Sequence, residues 1–462
     1  MRTPGDILLL SSYELGHSPQ HLAAPLAFFE RAGYAPRAID LSLDALDEDA
    51  VRAAALVCIA VQMHTALRLG IAVAKKVRAL APTAKICFFG LYAPLYADAL
   101  HAEGLADRCL GGEHEEALVA YAEELDSGRT GADGVTLERL LFPTPRRDSL
   151  PLVSRYAHLV TSDGNRHAGY VEASRGCLHT CRHCPIPAVY DGRFFIMPID
   201  TVLADIDAQV AAGARHITFG DPDFWNGPRH GMALVRRLAA RHPGVSFDVT
   251  IKVEHLLRHA GDLAELQALG CAFVVSAFES RSERVLSILD KGHTRADLDR
   301  ALDLTDRVGL PIRPTFVPFT PWTTLADYAD LLDWIGARDL EGRVDPIQLA
   351  VRLLVPPGSL LLRIPEGAVF GALDPERLTH VWTHADARME GLEAQVFSRV
   401  EQAGHESATE TFAALRDIVA SIEGTTAKRF VPVRTAAPRL SEPWFCCAEP
   451  SARQLGALAP KV

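Results

Sequence analysis

Apolar residues in this chain fall into two successive series of short runs, separated by stretches with helical spacing. In residues 1–125 the strand-like runs are "DILLLSS", "PRAIDLS", "AALVCIAVQ", "AKICFFG" and "ADRCLGG". Between them lie segments such as "HLAAPLAFFERAG", which stops at a glycine, and "ALRLGIAVAKKVRAL". Short apolar runs bounded by turn signals read as buried strands, whereas apolar positions at i, i+3, i+4 and i+7 read as helix. Repeated strand–helix units predict a doubly wound, Rossmann-like parallel sheet, whose ligands sit at the carboxyl ends of its strands. Here those ends carry "SYELGHS", "VQMHT", "GLYAP" and "GGEHE". Residues 126–167 read as a connector, first turn-rich ("LDSGRTGADG"), then rich in Pro and Arg ("FPTPRRDSLPLVSRY").

The second series spans residues 168–362. Its strand candidates are "AGYVEAS", "HITFG", "SFDVTI", "AFVVSAF", "PIRPTFV" and "PIQLAVRLL". Six such units predict a full or partial (βα)6 barrel, which places its chemistry at the strand carboxyl ends. Polar residues gather there: Cys177, then Asp221 and Asp223, Lys252 and Glu254, Glu279 and Ser280, Arg313 and Thr315, and Arg352. Residues 363–462 hold two predicted amphipathic helices, "DPERLTHVWTHADARMEGLEAQVFSRV" and "ATETFAALRDIVASI", and an irregular tail from Glu423. The predicted class is α/β throughout.

Length and composition narrow the function. A chain of 462 residues is too long for one core and calls for two or three domains. With 47 basic against 58 acidic residues the net charge is −11, which argues against broad nucleic-acid binding. No stretch approaches the roughly 20 apolar residues of a membrane helix, and the short apolar run at the start does not read as a signal peptide. The expectation is a cytoplasmic protein with neither nucleic acid nor membrane as partner. Nine cysteines, an odd count, do not look like a disulfide framework. Cys58, Cys87, Cys109 and Cys271 lie in or beside apolar runs and read as small buried hydrophobes.

The remaining cysteines carry the chemistry. "SRGCLHTCRHC" places Cys177, Cys181 and Cys184 directly after a strand. Three thiolates suit zinc or an iron–sulfur cluster, and zinc would take His179 or His183 as a fourth ligand. This C-x3-C-x2-C spacing in a βα context resembles the radical S-adenosylmethionine (SAM) family. The resemblance implies a [4Fe-4S] cluster held by Cys177, Cys181 and Cys184, with SAM on the fourth iron and an external electron donor. "FGDPDFW" resembles the family's stretch facing the SAM amino group and implies roles for Gly220, Asp221 and Asp223. "FESRSERVLSILDKGHT" and "VPPGSLLL" resemble the subclass with a cobalamin domain, which puts Glu279 and Ser280 near SAM. His183 stands where relatives keep an aromatic residue against adenine. The carboxylate of SAM needs a cation, for which Lys252, Arg313 and Arg352 are the candidates.

The domain order also resembles cobalamin-dependent members of that family. No histidine in residues 1–125 follows an Asp two positions earlier, so the D-x-H-x-x-G motif is missing and the expectation is that cobalamin is not bound. The tail reads "LSEPWFCCAEP". Adjacent cysteines do not easily form an unstrained disulfide, which leaves a redox pair or a trap for a soft ion. "WFCCAEP" resembles the tail of the CUAEP/CCAEP subgroup, close to the enzymes of arsinothricin biosynthesis. That resemblance implies transfer of the 3-amino-3-carboxypropyl group of SAM to arsenite, giving hydroxyarsinothricin, with Cys446 and Cys447 presenting the arsenic. The alternatives are a conventional 5′-deoxyadenosyl-radical enzyme acting on a small molecule or peptide, and a non-catalytic protein that sequesters metal or metalloid.

Overall fold

The first series of apolar runs forms five parallel strands: β1 (Ile7–Ser11), β2 (Arg37–Asp40), β3 (Leu56–Ala60), β4 (Lys85–Phe89) and β5 (Arg108–Gly112). A sixth, β6 (Gly134–Thr136), comes from the stretch read as connector and extends the sheet to the order β2-β1-β3-β4-β5-β6. This is a computed structural model, and it describes residues 1–129, 131–404, 406–434 and 436–442. Alternate side chains along β1 enter opposite cores. Leu8 and Leu10 pack with Val73 and Val77 of the helix His64–Leu80. Ile7 and Leu9 pack with Leu26 and Phe29 of the helix Gln20–Arg31. Both faces are covered, which is why these strands read as continuous apolar runs rather than alternating ones. Cys58 and Cys87 sit opposite each other on β3 and β4, free and fully buried, as small core residues.

The second series builds a half-barrel. β7 (His158–Thr161) pairs antiparallel with β8 (Gly164–Val171). Beyond the short antiparallel pair β9 (Ser174–Gly176) and β10 (Phe194–Ile196), parallel strands β11 (His216–Phe219), β12 (Ser246–Thr250), β13 (Cys271–Glu279) and β14 (Ile312–Phe316) follow β8. The predicted sixth strand, "PIQLAVRLL", is not a strand. Pro346 opens a 3-10 turn, Pro346–Leu349, and one parallel bridge, Phe319 to Arg352, ties the later part of that run to the segment after β14. Proline fixes φ and donates no hydrogen bond, so that run cannot begin as a ladder. The predicted helix from Asp374 likewise starts late. Leu373–Asp374 (β15) and Thr379–His380 (β16) form a small hairpin, and the helix runs only over Ala387–Gln402. A second helix, Ala408–Glu423, packs beside it, and β17 (Arg439–Leu440) returns to pair with β7.

The two domains share buried contacts. Phe28 and Met63 of the first lie in the same apolar core as Val171 and Phe219 of the second. Arg147, in the Pro/Arg-rich connector, donates to Asp205 Oδ1 (2.6 Å), Tyr170 O (2.9 Å) and Ser18 Oγ (3.0 Å). One half-buried guanidinium thus binds elements of both domains. Among the described residues no helix is long and apolar enough to cross a membrane.

Candidate functional site

The carboxyl ends of the strands in both sheets face one cavity of about 450 Å³. Leu15, Gln62, Met63 and Leu91 wall it from the first domain. Opposite them stand the three cysteines and the ends of β11 to β14.

The cysteine loop is set up by its backbone. Gly176, before Cys177, has φ +72°, and a Cβ there would lie 2.4 Å from Arg193 O and 2.6 Å from the Tyr190 ring. Only glycine meets both demands. The loop is then pinned by Arg182 N donating to Leu289 O (2.9 Å), Ser359 Oγ to Arg182 O (3.1 Å) and Leu178 N to Asn226 Oδ1 (3.2 Å). Burial pushes the Cys184 and Cys177 thiols up, a cost that a cationic metal centre offsets by binding the thiolates. Cys177, Cys181 and Cys184 are free and all line the cavity. Among the described residues they are not one of the sets of three ligand atoms lying within 4.8 Å of one another. Thiolates on one zinc would stand about 3.8 Å apart. Neither histidine completes a zinc set with these cysteines: His183 Nε2 faces Glu279 Oε1 at 3.1 Å, and His179 Nε2 faces Asp223 Oδ2 at 3.6 Å. Three spread soft donors on one wall fit a polynuclear iron–sulfur centre.

Glu279 closes β13 in the left-handed region, φ 63°, where the β13–β14 register shifts. A non-glycine residue held there marks stored strain of the kind found at functional sites. Its Oε1 accepts from Lys291 Nζ (3.1 Å) and faces His183. Burial acts to raise this carboxyl, but the Lys291 charge and His183 outweigh it and hold it at about 2. Lys291 escaped the sequence reading; its only signal is a lysine before the glycine turn of "LDKGHT".

The other expected residues divide. Gly220 lies on the cavity wall, and a Cβ there would strike the Tyr170 hydroxyl at 1.9 Å. Asp221 commits both carboxylate oxygens to the segment before the cysteine loop, accepting from Ser174 Oγ (2.5 Å) and Ala173 N (2.9 Å). Burial raises its pKa to about 7. Asp223 accepts from Trp225 N and turns its other oxygen to His255. Lys252 lines the cavity beside His179, and Arg313 lines it while pairing with Asp345 at 2.8 Å.

Two expectations are corrected. Arg352 is not on the cavity; it pairs with Glu390 and Glu393 and stacks 3.6 Å over Trp382, tying the helix Ala387–Gln402 to the barrel. Ser280 also misses the wall, because its hydroxyl accepts from Ser282 N in the turn after β13. Cys446 and Cys447 lie outside the described residues.

The first domain adds groups that no motif announced. His21 stands between Glu14 (3.2 Å) and Glu172 (3.5 Å). Arg175 bridges Glu172 and Glu115, both at 2.6 Å. His17 stacks on Tyr170 at 4.7 Å and is held neutral by burial, its pKa lowered to about 4.

Comparison with known proteins agrees with this geometry. Residues 171–335 match the Radical SAM superfamily. Residues 171–335 thus form a radical SAM domain within the chain. Curated relatives include the ribosomal protein uS12 methylthiotransferase RimO of Bordetella petrii, 26% identical over 304 residues, covering 60% of this chain and 66% of that protein. RimO of Pseudomonas putida (strain KT2440) is 26% identical over 214 residues, 43% of this chain and 48% of the relative. The matches thus span between about half and just under two thirds of those relatives' lengths. Among solved structures, the cobalamin-dependent radical SAM enzyme OxsB with aqua-cobalamin bound aligns over 90% of this chain and 72% of its own, at 13% identity and TM-score 0.68. TsrM from Kitasatospora setae, a radical SAM methyltransferase solved with tryptophan substrate and a SAM analog, aligns over 91% of this chain and 95% of its own, at 17% identity and TM-score 0.61. These likenesses establish the fold. They give no support to the expectation that cobalamin is not bound, since OxsB and TsrM have also been solved with cobalamin.

Proposed function

We propose that this radical SAM enzyme moves a group derived from SAM onto a small molecule held between its two domains. The observation that supports this reading is that one cavity is walled by the three cysteines on one side and by Leu15, His17 and Met63 of the first domain on the other. Cys177, Cys181 and Cys184 hold a [4Fe-4S] cluster in this reading. When bound and reduced by an external donor, the cluster supplies the electron that breaks a carbon–sulfur bond of SAM. Lys252 and Arg313 offer positive charge to the SAM carboxylate, and Glu279, ionised above pH 2, offers negative charge to its amine. The apolar walls exclude water, which strengthens each of these interactions.

The acceptor proposed is trivalent arsenic as arsenite, taken up by Cys446 and Cys447 and converted to hydroxyarsinothricin by the 3-amino-3-carboxypropyl group. Two adjacent soft thiols suit a soft metalloid. Leu440 and Glu442 line the cavity, and Cys446 follows Glu442 by four residues, a reach of at most about 14 Å. A second reading is methyl transfer with cobalamin between the domains. It is favoured by the first domain's strand ends on the cavity wall and by the fold shared with OxsB and TsrM.

Anaerobic reconstitution followed by reduction with SAM, with and without arsenite and cobalamin, separates these readings by the nucleoside formed. Arsenite-dependent methylthioadenosine supports the first, and S-adenosylhomocysteine appearing only with cobalamin supports the second. If 5′-deoxyadenosine is the sole product under every condition, both fail and the conventional radical reading stands.

A further inference from the structure

Three buried polar atoms on three different elements converge beside the cysteine loop. They are His179 Nε2 in that loop, Asp223 Oδ2 after β11 and His255 Nδ1 after β12, all within 4.8 Å of one another. Asp223 Oδ2 stands 2.7 Å from His255 Nδ1 and 3.6 Å from His179 Nε2. None of the three atoms has a hydrogen-bond partner of acceptable geometry. Asp223 and His255 are 2% and 6% exposed at their side chains, so water does not readily satisfy them. Buried polar atoms without partners are costly, and three of them aimed at one point require a common explanation.

We propose that His179, Asp223 and His255 bind one divalent first-row transition-metal ion, separate from the centre held by the cysteines. Two imidazoles and one carboxylate on one face form a set suited to Fe(II), Co(II) or Zn(II), with further coordination positions left open. Ligand atoms about 2.1 Å from such an ion stand about 3.0 to 3.4 Å apart. The two spacings at Asp223 Oδ2 bracket that range, so small side-chain rotations complete the site. His179 and Asp223 line the cavity while His255 stands behind them, which turns the open positions toward the cavity. A ligand there meets the ion through an oxygen or nitrogen donor such as a carboxylate or amine.

The surroundings are consistent with this role. Asp223 Oδ1 is fixed by Trp225 N, leaving Oδ2 for the ion. Ligation by His179 Nε2 puts the proton on Nδ1, where Glu254 Oε2, 3.8 Å away, is the acceptor. Lys252 Nζ, now 3.0 Å from that nitrogen, then turns to Glu254, from which it is 3.6 Å. A carboxylate behind a ligating imidazole is the usual support for such a ligand.

The test uses the full chain with its cluster reconstituted. After chelation removes loosely held metal, the protein is dialysed against Co(II), and cobalt and iron are counted separately. One cobalt per chain is expected, with X-ray absorption showing nitrogen and oxygen ligands, imidazole among them, and no sulfur. His255→Gln and Asp223→Asn are expected to weaken cobalt binding at least about tenfold with iron content unchanged. His255 lies outside the cysteine loop and off the cavity wall, so its variant decides the matter if changes elsewhere disturb the cluster. No stoichiometric cobalt, sulfur ligation, or unchanged cobalt affinity in His255→Gln would overturn the proposal. Loss of SAM binding in Asp223→Asn with cobalt uptake intact would also overturn it, assigning the carboxylate to SAM alone.

Discussion

Replacing Glu279 by Gln keeps the side chain's shape and removes its charge. Lys291, 4% exposed, then becomes a buried ammonium without a counter-charge, and His183 loses its carboxylate partner. The pair holds Glu279 at about 2 against an ordinary 4.5, and a shift of that size corresponds to about 3 kcal/mol. Lys291 feels the same attraction from its own side, so this is a single contribution. Breaking one partner of a buried pair typically costs about 3–5 kcal/mol, in agreement with that figure. Because the folded-state value is depressed, the stabilisation is complete above about pH 4.5 and is lost as pH falls toward 2. All five tryptophans lie at position 225 or later, three of them in the barrel and two in the C-terminal segment, so urea unfolding followed by tryptophan fluorescence reports on the barrel and that segment and not on the first domain. At pH 7, Glu279→Gln is expected to lower the barrel's unfolding free energy by about 3 kcal/mol. The double variant Glu279→Gln/Lys291→Met is expected to recover much of that loss, since it removes the stranded charge. A loss below about 1 kcal/mol in the single variant, the value of an exposed pair, would refute the buried-pair argument.

Three further outcomes are expected from the geometry. Gly176→Ala is expected to prevent iron incorporation, because the added Cβ meets Arg193 O and the Tyr190 ring; iron content after reconstitution checks this. Arg175→Met strands Glu115 and Glu172 at the join of the domains, and is expected to cost about 3–5 kcal/mol and to expose the 126–167 connector to proteolysis. Cys446→Ser or Cys447→Ser is expected to abolish product while leaving iron content and SAM binding unchanged; full activity in either would remove the tail from the reaction.

The sequence is most legible where structure is local. The five strand runs of the first domain and the first five of the second became strands at their expected places. An apolar run of this length has few other ways to be buried. Cys177, Cys181 and Cys184, picked out by their spacing, all line the cavity wall. The misreadings share a cause. Arg352 lies near the expected strand end, but its run has no ladder to aim it, and Glu390, Glu393 and Trp382 draw it outward. Ser280 lies one residue beyond the left-handed turn at Glu279, a turn that hydrophobic periodicity does not encode. The hairpin Leu373–His380 interrupts a stretch whose apolar spacing alone reads as helix.

By itself, then, the sequence determined the alternation of strand and helix, the burial of both sheet faces and the three-thiol loop. Each of these depends on residues within one turn or one strand of each other. The tertiary structure alone decided which distant groups meet. Glu279 reaches His183 across 96 positions, Asp223 and His255 converge on His179 from separate strand ends, and the first domain closes the cavity that the barrel opens. Such pairings depend on sheet order, register and twist, which place strand ends side by side however far apart they lie in the chain.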